Sequence, residues 1–395
     1  MGTAESNQDD VRFMRLAIRL ARRAYGYTSP NPLVGAVLVK NGKIIGQGWH
    51  HRAGEPHAEI EALRHAQASG FDSSGATLYA TLEPCSTHGR TPPCTDAIQS
   101  AKIARFVGAA TDPNPAHRGR GFDLLTKSGI EVSHGLLADE ANRLNEAFNH
   151  WIVHRLPFVT VKSALTLDGK IATAGGESKW ITGEKARASA MRLRMGADAI
   201  LVGINTALSD DPRLTVRLGH PTKGAAAASF QSEAQVARPL VREKEIPRRR
   251  IVLDSAARIP LSAALISDPW ASWTTMVTTQ SAPPDRVDAL SRRVNVWIAP
   301  VRDGKIDLRW LLKKLGEEKV THLLVEGGGE INASFLFDGL VQRVAFFYAP
   351  KILGDHQARK GVAGRGARRL DEVINLHHLE WRILGADLML TARVG

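Results

Sequence analysis

Three side chains of the kinds that bind zinc lie at the ends of predicted helices and strands, and their placement limits the possible fold. His57 opens the stretch HAEIEALRHA, where apolar residues recur at helical spacing, and Cys94 opens the helical stretch CTDAIQSA. Cys85 follows ATLYATLEP, an apolar run closed by proline, which predicts a strand. Because helices and strands alternate through this part of the chain, the pattern predicts an α/β layered domain.

The residue types at these positions predict a catalytic zinc site. Two thiolates and one imidazole hold zinc and leave the fourth tetrahedral position for water, as catalytic sites do. Zinc lowers the pKa of bound water from about 15.7 to about 7, whereas a general base alone accelerates a reaction about 10²–10⁴-fold. Glu59, two residues past His57, would carry a proton from the water to the ring nitrogen and the departing ammonia. This arrangement is typical of a hydrolytic deaminase.

Two alternatives to a catalytic site remain open. The two cysteines could be buried thiols that bind no metal. A structural zinc site could instead take His88, His50 or His51 as its fourth ligand, and Glu59 would then have no role. The eight residues between the cysteines, STHGRTPP, exceed the two of the general deaminase pattern. This insert must therefore form something beside the metal.

Length and composition fit a soluble protein of two domains. The chain has 395 residues, of which 43% are apolar and 23% charged, and it contains two cysteines. The start is polar and acidic, and no apolar run approaches membrane length, so we expect a cytoplasmic protein with no membrane partner and no disulfide. The net charge of +12 fits solubility and attraction of phosphorylated ligands. Because the basic residues are dispersed and lack interleaved aromatics, we expect no nucleic-acid partner.

The alternation of helices and strands predicts two domains, residues 1–150 and 157–395. The first begins with the helix DDVRFMRLAIRLARRA, capped by Asp9 or Asp10, and has strands at VGAVLVK, ATLYATL and ARFVGAA. A connector over residues 149–157 precedes a second alternation. This part contains a helix capped by Thr182 and strands at FVTVKSAL, AILVGIN, RRIVLD, VNVWIA, THLLVEG and RVAFFYAP. Residues 219–248, rich in Ala, Lys and Glu without periodicity, predict a solvent-exposed insertion.

Two segments of the second domain could bind anions, and each has a plain alternative. Gly327, Gly328 and Gly329 lie between a predicted strand and a predicted helix, where the backbone can approach a phosphate. A tight turn without a function accounts for these glycines equally well. A basic cluster later in the chain is either a mobile loop near an anionic ligand or a solvated loop. It consists of Arg359, Lys360, Arg365, Arg368 and Arg369.

Longer motifs resemble the bifunctional deaminase–reductase family of riboflavin biosynthesis, and they extend over nearly the whole chain. In the first half these motifs are PHAE, TLEPC, HGRTPPC, GWH, DPNP and GRG, and in the second half VKSA, LDGK, ESKWIT and LTVR. The resemblance implies an α/β protein of two domains. The N-terminal domain would be a cytidine-deaminase-like α/β/α sandwich, and the C-terminal α/β domain would resemble dihydrofolate reductase. The implied cofactors are Zn²⁺ and NADPH.

The resemblance also implies roles for individual residues. The zinc ligands would be His57, Cys85 and Cys94, and the catalytic residues Glu59, Lys162 and Asp210. The cofactor contacts would be Ala164, Trp180, Thr206, Asp210, Ser255, Gly328, Gly329, Glu330, Ile331, Asn332, Ala333 and Ser334. The substrate contacts would be Asn31, His50, Ser178, Arg194, Leu214, Arg217 and Glu326.

Some of these residues fit a purely structural role as well. Arg194 and Arg217 could hold a phosphate through paired charge-assisted hydrogen bonds, but each arginine could also belong to a surface ion pair. Asp210 and Asp211 precede Pro212, so one of them could be a turn residue.

The sequence therefore predicts a sequential two-step enzyme whose partner is a small phosphorylated pyrimidine. The first domain would deaminate 2,5-diamino-6-(5-phosphoribosylamino)pyrimidin-4(3H)-one. The second would reduce the ribosyl chain with NADPH and give 5-amino-6-(5-phosphoribitylamino)uracil. We expect a homo-oligomer. The alternatives are a nucleic-acid or nucleoside deaminase with a fused accessory domain, and a zinc-binding protein without catalysis.

Overall fold

The protein is represented by a computed structural model that describes residues 2–88, 92–217 and 245–395. The chain divides between Arg155 and Leu156 into two compact units. Residues 89–91 of the insert between the cysteines, and residues 219–244 of the predicted insertion, lie outside the described residues. Within the described ranges, no helix combines the length and apolar character needed to cross a lipid bilayer.

The first unit is built on a mixed sheet of five strands within its described residues, in the order β2-β1-β3-β4-β5. Strand β1 is antiparallel to β2 and β3, whereas β3, β4 and β5 are parallel. The elements in chain order are α1 (Gly2–Ala21), β1 (Gly35–Lys40), β2 (Lys43–Trp49), α2 (Ala58–Ala68), β3 (Thr77–Leu82), α3 (Cys94–Ser100), β4 (Arg105–Ala110), α4 (Arg120–Lys127), β5 (Glu131–His134), α5 (Ala138–Leu144) and α6 (Glu146–His154).

Helices α1 and α2 cover opposite faces of this sheet. A Cβ atom at Gly35 would lie 2.1 Å from the carbonyl oxygen of Ala17 in α1, and one at Gly48 would lie 2.4 Å from that of Ala58 in α2. Gly48 pairs with Ala36, the residue after Gly35, and successive residues of a strand face opposite sides. The predicted α/β/α sandwich is confirmed.

Glycines bring α2 unusually close to the sheet. A Cβ atom at Gly46 would lie 2.3 Å from the carbonyl oxygen of Ala62, as close an approach as that at Gly48. Both distances are far below a van der Waals contact, so any side chain at these positions would push α2 away from β2. The absence of side chains at Gly46 and Gly48 therefore allows α2, the helix that begins directly after His57, to lie directly against β2.

The second unit contains the remaining elements. In chain order they are β6 (Phe158–Thr166), β7 (Lys170–Ala172), α7 (Glu184–Met195), β8 (Ala199–Gly203), α8 (Ile204–Asp210), β9 (Val216–Arg217), β10 (Glu245–Ile246), β11 (Arg249–Leu253), α9 (Ala264–Ser267), β12 (Thr274–Thr278), α10 (Pro284–Ser291), β13 (Asn295–Ile298), β14 (Val301–Arg302), β15 (Lys305–Ile306), α11 (Leu308–Glu317), β16 (His322–Val325), α12 (Gly329–Phe337), β17 (Arg343–Ala349), β18 (Arg359–Lys360), β19 (Leu376–Leu384) and β20 (Asp387–Val394).

The large sheet of this unit has nine strands within the described ranges, in the order β13-β12-β11-β8-β16-β6-β17-β20-β19. The first seven strands in this order, which end with β17, are all parallel. Strands β20 and β19 add an antiparallel hairpin at one side of the sheet. In a parallel sheet, the segments that follow the strands all emerge at the carboxyl ends of the strands, where ligands of open α/β sheets bind. The segments after β6, β8, β11, β12 and β16 therefore lie along this carboxyl edge.

Candidate functional site

The three predicted metal ligands converge in the first unit. One ligand atom from each of His57, Cys85 and Cys94 lies within 4.8 Å of the others. Nδ1 of His57 is 3.2 Å from Sγ of Cys94 and 3.4 Å from Sγ of Cys85. Zinc bound tetrahedrally to such atoms would separate them by about 3.5–3.8 Å, given bond lengths of about 2.0–2.3 Å. The donor types and their spacing therefore fit zinc.

Local structure explains this convergence. His57 directly precedes α2, Cys94 is the first residue of α3, and Cys85 lies three residues after β3 ends. The backbone N–H of Cys94 donates to Sγ of Cys85 at 3.2 Å, and side-chain hydrogen bonding from Cys94 lowers the pKa of the Cys85 thiol. The side-chain hydrogen bond between the two thiols, together with burial, raises the pKa of Cys94. Cys85 is thus the group that ionises first, and thiolate is the form that binds zinc.

Glu59 lies in the first turn of α2 beside the cluster. Only 3% of this residue is exposed, and burial raises the pKa of its carboxyl to about 7, although His57 opposes the shift. A carboxyl that titrates near neutral pH can both accept and donate a proton under physiological conditions. The position and pKa of Glu59 therefore suit a proton carrier.

The histidines considered as a fourth ligand lie outside the cluster. Within the described residues, the metal-binding group consists of one histidine and two cysteines. His88 is exposed, and both ring nitrogens of His50 have other partners. The geometry among these residues favours an open coordination position over a closed structural site.

His50 and Asn31 lie next to the ligands and hold each other in place. Nδ1 of His50 donates to the carbonyl of Pro56 at 3.0 Å, so Nε2 is left to accept from the side-chain amide of Asn31, also at 3.0 Å. The His50 ring stands edge-on to His57, with centroids 5.4 Å apart. Burial lowers the pKa of His50, so the ring is neutral. The structure thus places two of the predicted substrate contacts, Asn31 and His50, beside the metal cluster.

The sequence motifs include Glu83, but they did not reveal its role. Its buried carboxylate accepts backbone hydrogen bonds from Asp112 at 2.9 Å, Gly119 at 3.0 Å and Gly121 at 2.8 Å. Glu83 lies two residues before Cys85, so it connects the ligand segment to the DPNP and GRG motifs. An acidic residue at the end of an otherwise apolar strand was the available signal, because a buried carboxylate requires several donors.

In the second unit, Glu326 lies between two predicted site cations. Its carboxylate accepts two hydrogen bonds from the Arg194 guanidinium, at 2.7 and 2.9 Å, and lies 3.8 Å from Nζ of Lys162. Burial opposes ionisation of Glu326, yet Arg194 and Lys162 lower its pKa to about 2. Because Glu326 neutralises one of the two cations, the group keeps a net charge of +1. Arg194 is thus directed at Glu326, and its remaining Nη1 donates to the carbonyl of Thr215 at 3.1 Å.

Other predicted contacts come together in smaller groups. The Ser178 hydroxyl donates to Asp210 at 3.2 Å, and a Cβ atom at Gly328 would lie 3.7 Å from the Thr206 hydroxyl. Asp211 has a left-handed backbone (φ 40°) at the end of α8, and its carboxylate accepts from the N–H of Ala264.

The remaining predicted contacts are placed individually. Trp180 is 64% exposed beneath the Arg187 guanidinium, Leu214 is buried, Arg217 is exposed on β9, and Ser255 is exposed after β11. Ala164 lies on β6 and pairs with Phe347 of β17.

The three glycines before α12 have different structural reasons. A Cβ atom at Gly327 would meet the Ile331 side chain at 2.6 Å, and one at Gly329 would meet the carbonyl oxygen of Lys360 at 2.2 Å. At Gly328 the nearest atom would be 3.7 Å away. Packing therefore requires Gly327 and Gly329, and Gly328 is the position where an open backbone can approach a ligand.

The basic cluster near the end of the chain is partly tied into the fold. Arg359 and Lys360 form β18, which pairs with β7, and Arg359 donates to the Ser209 hydroxyl at 3.4 Å. Arg369 forms two hydrogen bonds with Asp371, both at 3.0 Å. The segment is thus ordered at its start and carries an exposed surface ion pair further on.

Two family models match the chain. The one described as RibD C-terminal domain matches residues 157–390. The other, described as the cytidine and deoxycytidylate deaminase zinc-binding region, matches residues 7–110 and so includes all three clustered ligands.

Full-length relatives agree with these matches. The riboflavin biosynthesis protein RibD of Actinobacillus pleuropneumoniae is 40% identical over 382 residues, covering 96% of this chain and 94% of the relative. RibD of Aquifex aeolicus is 42% identical over 381 residues, covering 96% and 97%.

Two solved structures extend the similarity to the whole fold. Acinetobacter baumannii RibD has a TM-score of 0.82 and 33% identity, with 98% of this chain and 99% of that chain covered. The Thermotoga maritima diaminohydroxyphosphoribosylaminopyrimidine deaminase/5-amino-6-(5-phosphoribosylamino)uracil reductase has a TM-score of 0.79 and 31% identity, with 99% and 100% covered. The ligand cluster, the two units and these full-length similarities show that the chain belongs to the RibD family of riboflavin biosynthesis proteins.

Proposed function

We propose that the chain catalyses two successive steps of riboflavin biosynthesis, a zinc-dependent deamination and an NADPH-dependent reduction. The substrate of the first step is 2,5-diamino-6-(5-phosphoribosylamino)pyrimidin-4(3H)-one, and the product of the second is 5-amino-6-(5-phosphoribitylamino)uracil. The observation that carries the proposal is the convergence of His57, Cys85 and Cys94 beside the buried Glu59. Membership of the RibD family supports both activities, and the similar protein from Thermotoga maritima is named as both a deaminase and a reductase.

In the first step, the residues around the metal position divide the work between them. Zinc held by the three ligands would supply a Lewis acid that makes water ionise near neutral pH. The Glu59 carboxylate accepts one proton from the attacking water and gives it to the ring nitrogen, and it then takes the second proton from the new hydroxyl group and gives it to the amine, which leaves as ammonia. The neutral His50 and the amide of Asn31 orient the pyrimidine ring. Because both side chains are fixed by hydrogen bonds, the ring enters a prearranged site.

In the second step, the residues at the carboxyl edge of the large sheet hold cofactor and substrate. The ammonium of Lys162 faces the ribosyl chain, and Glu326 with Arg194 keeps this ammonium oriented. Asp210, which accepts from Ser178, serves as the proton donor or as an orienting group. Ala164, Trp180, Thr206, Ser255 and residues 328–334 would hold NADPH, which would supply the hydride when bound.

We propose domain limits of 1–150 and 157–395, a cytoplasmic location and a homo-oligomeric state. The location is supported by two free cysteines, both assigned to metal. The oligomeric state is supported by β19, one of the two edge strands of the large sheet in the described part of the chain. There Trp381 is 56% exposed and Ile383 is 78% exposed. An exposed apolar edge strand favours pairing with a second copy.

The deamination is tested with Glu59→Gln in the full-length zinc-loaded protein. Ammonia release from the diaminopyrimidine phosphate should fall by about 10²–10⁴-fold while bound zinc is retained, because the proton carrier is removed and the ligands are not. Glu61→Gln, on the same helix but paired with Arg64 at its surface, should behave like the wild type. Loss of zinc from Glu59→Gln would make Glu59 a ligand, and undiminished ammonia release would contradict the proposed role.

A second arm of this experiment tests the reductase. NADPH oxidation should require the deaminated product, because deamination precedes reduction in the proposed order of steps. Equal oxidation with dihydrofolate would contradict the substrate assignment. Salt-sensitive binding of RNA with ammonia release from it would favour a nucleic-acid deaminase instead.

A further inference from the structure

Four parallel strands of the large sheet end at nearly the same level. Leu253 at the end of β11 pairs with Gly203 of β8 and with Val277 of β12, and Val325 of β16 pairs with Leu201. These four ends form a row in the order β12-β11-β8-β16, and β6 runs beside β16, with Val161 opposite Val325. With neighbouring strands about 4.8 Å apart, β6 and β11 are separated by about 14 Å. An extended dinucleotide lying along this row would reach from Lys162 and Ala164 on β6 to the loop after β11.

The loop after β11 presents one arginine beside the predicted cofactor contacts. Arg258 is 53% exposed at its side chain, and Nη2 donates to the side-chain oxygen of Asn205 at 3.3 Å. Asn205 precedes Thr206, whose hydroxyl lies next to Gly328 in the open part of the glycine loop. Ser255 lies three residues before Arg258 and is also exposed. Arg258 therefore belongs to the same row as Thr206, Gly328 and Ser255, at its β11 end.

The acidic residue at the end of β11 is withdrawn from solvent. In nucleotide sites on parallel sheets, an exposed acid after a strand binds the ribose 2′-hydroxyl, whereas an arginine accommodates a 2′-phosphate. Asp254 is fully buried, and its Oδ2 accepts from the N–H of Ile259 at 2.9 Å. Its Oδ1 lies 3.8 Å from Nε of Arg258. The charged group that this loop presents to solvent is therefore the Arg258 guanidinium.

Hydrogen bonds fix the backbone of this loop. The carbonyl of Ser255 accepts from the hydroxyl of Thr278 at 3.1 Å and from that of Thr279 at 2.9 Å, both at the end of β12. The side chains of both threonines are buried. Since Ser255 is held in this way, its exposed side chain and that of Arg258 are presented from a rigid loop, which reduces the entropy lost on binding an anion.

We propose that Arg258 binds the 2′-phosphate of NADPH and thereby selects NADPH over NADH, an inference that rests on the proposed reductase function. The guanidinium is a planar donor suited to the oxygens of a phosphate. NADH has a neutral hydroxyl at this position, so it gains nothing from the arginine. Arg258 is a specificity-determining residue that lies away from the reacting carbon, so its effect falls mainly on KM.

The test compares kcat/KM for NADPH and NADH in the full-length protein, with the deaminated pyrimidine as second substrate. Arg258→Ala should lower kcat/KM for NADPH about 10- to 100-fold, the loss expected for a charge-assisted hydrogen bond, and leave NADH within about twofold. Arg258→Lys should fall between the wild type and Arg258→Ala. Arg249→Ala is the matched control, because Arg249 lies at the opposite end of β11 and pairs with Glu318 at the surface. It should leave both cofactors unchanged.

A binding measurement uses probes without a nicotinamide. The wild type should bind 2′,5′-ADP at least about tenfold more tightly than 5′-AMP, and Arg258→Ala should lose this difference. An equal loss for NADPH and NADH would mean that Arg258 only neutralises Asp254, and this would overturn the proposal. A rise in KM for the pyrimidine phosphate alone would also overturn it, since the arginine would then bind the substrate. If the wild type oxidised neither cofactor, the proposed function would fail, and 2′,5′-ADP binding would still decide the role of Arg258.

Discussion

At the scale of single residues, His322 is a buried histidine that folding keeps neutral. It is the first residue of β16, and its Nδ1 donates to the carbonyl of Gly196 at 2.9 Å. Nε2 therefore accepts from the hydroxyl of Thr160, also at 2.9 Å. Burial lowers the pKa of His322, against weaker opposing effects from Gly196 and Asp198. Both ring nitrogens are satisfied in this neutral form, and burial disfavours the protonated one.

This arrangement predicts how stability depends on pH. In the unfolded chain His322 binds a proton below about pH 6.5, whereas the folded protein resists protonation. The stabilising effect is therefore complete above pH 6.5 and is lost as pH falls below it, by at most about 1.4 kcal/mol per pH unit. His322→Gln should reduce the slope of unfolding free energy between pH 5 and 7, measured by urea denaturation. His356→Gln, at an exposed histidine, should keep the wild-type slope. Equal slopes for all three proteins would contradict the assignment.

Sequence reasoning at this scale could propose residues, but it could not propose their partners. The spacing of His57, Cys85 and Cys94 was sufficient to predict a metal-binding cluster, because each residue lies in a known motif at or near the end of a helix or strand. The pair Arg194–Glu326 joins residues 132 positions apart, and no local pattern encodes that contact. Glu83 likewise finds its backbone donors 29 to 38 positions later. Such contacts follow from the order of strands in the sheet, which a single sequence does not display.

At the scale of elements, a buried ion pair joins β11 to the segment after α9. The guanidinium of Arg250 donates to Asp268 at 2.7 and 2.9 Å, and both side chains are at least 95% buried. Nε donates to the hydroxyl of Thr274 at 2.8 Å, and Nη1 also donates to the carbonyl of Arg213 at 3.1 Å. Arg213 precedes Leu214, a predicted substrate contact. The pair therefore also holds the loop between α8 and β9.

Removing one member of this pair should be costly. Arg250→Met would leave Asp268 as an uncompensated buried charge, and we expect the free energy of unfolding to fall by about 3–5 kcal/mol. The double variant Arg250→Met/Asp268→Leu should recover part of that loss, because it removes both charges. Chemical denaturation of each variant measures the effect. Arg249→Ala, which removes a surface pair with Glu318, should change stability by less than about 1 kcal/mol. If the double variant were no more stable than Arg250→Met, the charge argument would be wrong.

The sequence predicted the type and order of the elements better than their ends. Helix α1 begins at Gly2, so the predicted cap at Asp9 or Asp10 is wrong. Asp10 instead accepts two hydrogen bonds from Arg105 and one from Tyr79, which a capping aspartate would not be free to do. Helix α7 is preceded by Gly183, one residue after the predicted cap, Thr182. At α1, the tertiary contacts of Asp10 outweighed its local preference for a capping position.

At the scale of the whole molecule, the hairpin of β19 and β20 should determine the oligomeric state. Ile383 pairs with Leu388, which pairs in turn with Tyr348 of β17, so all three face the same side of the sheet. Ile383→Lys should weaken self-association by at least about tenfold, because it would place a charge in an apolar contact. Sedimentation velocity over a range of concentrations measures this. Val301→Lys, at another exposed apolar residue of this unit, is the control. A wild type that is monomeric at all concentrations would rule out the proposed oligomer.

The close approach of α2 to the sheet has a consequence for redesign of the first site. Gly46 and Gly48 leave no clearance beneath the helix that carries Glu59, so this helix cannot retreat to admit a bulkier heterocycle. Room for a new substrate would have to come from the loops opposite, where backbone can be lengthened without changing the spacing between general base and ligands. Libraries that randomise β2 would thus yield mostly proteins that do not fold. Libraries that vary the loops would instead sample changes in substrate specificity.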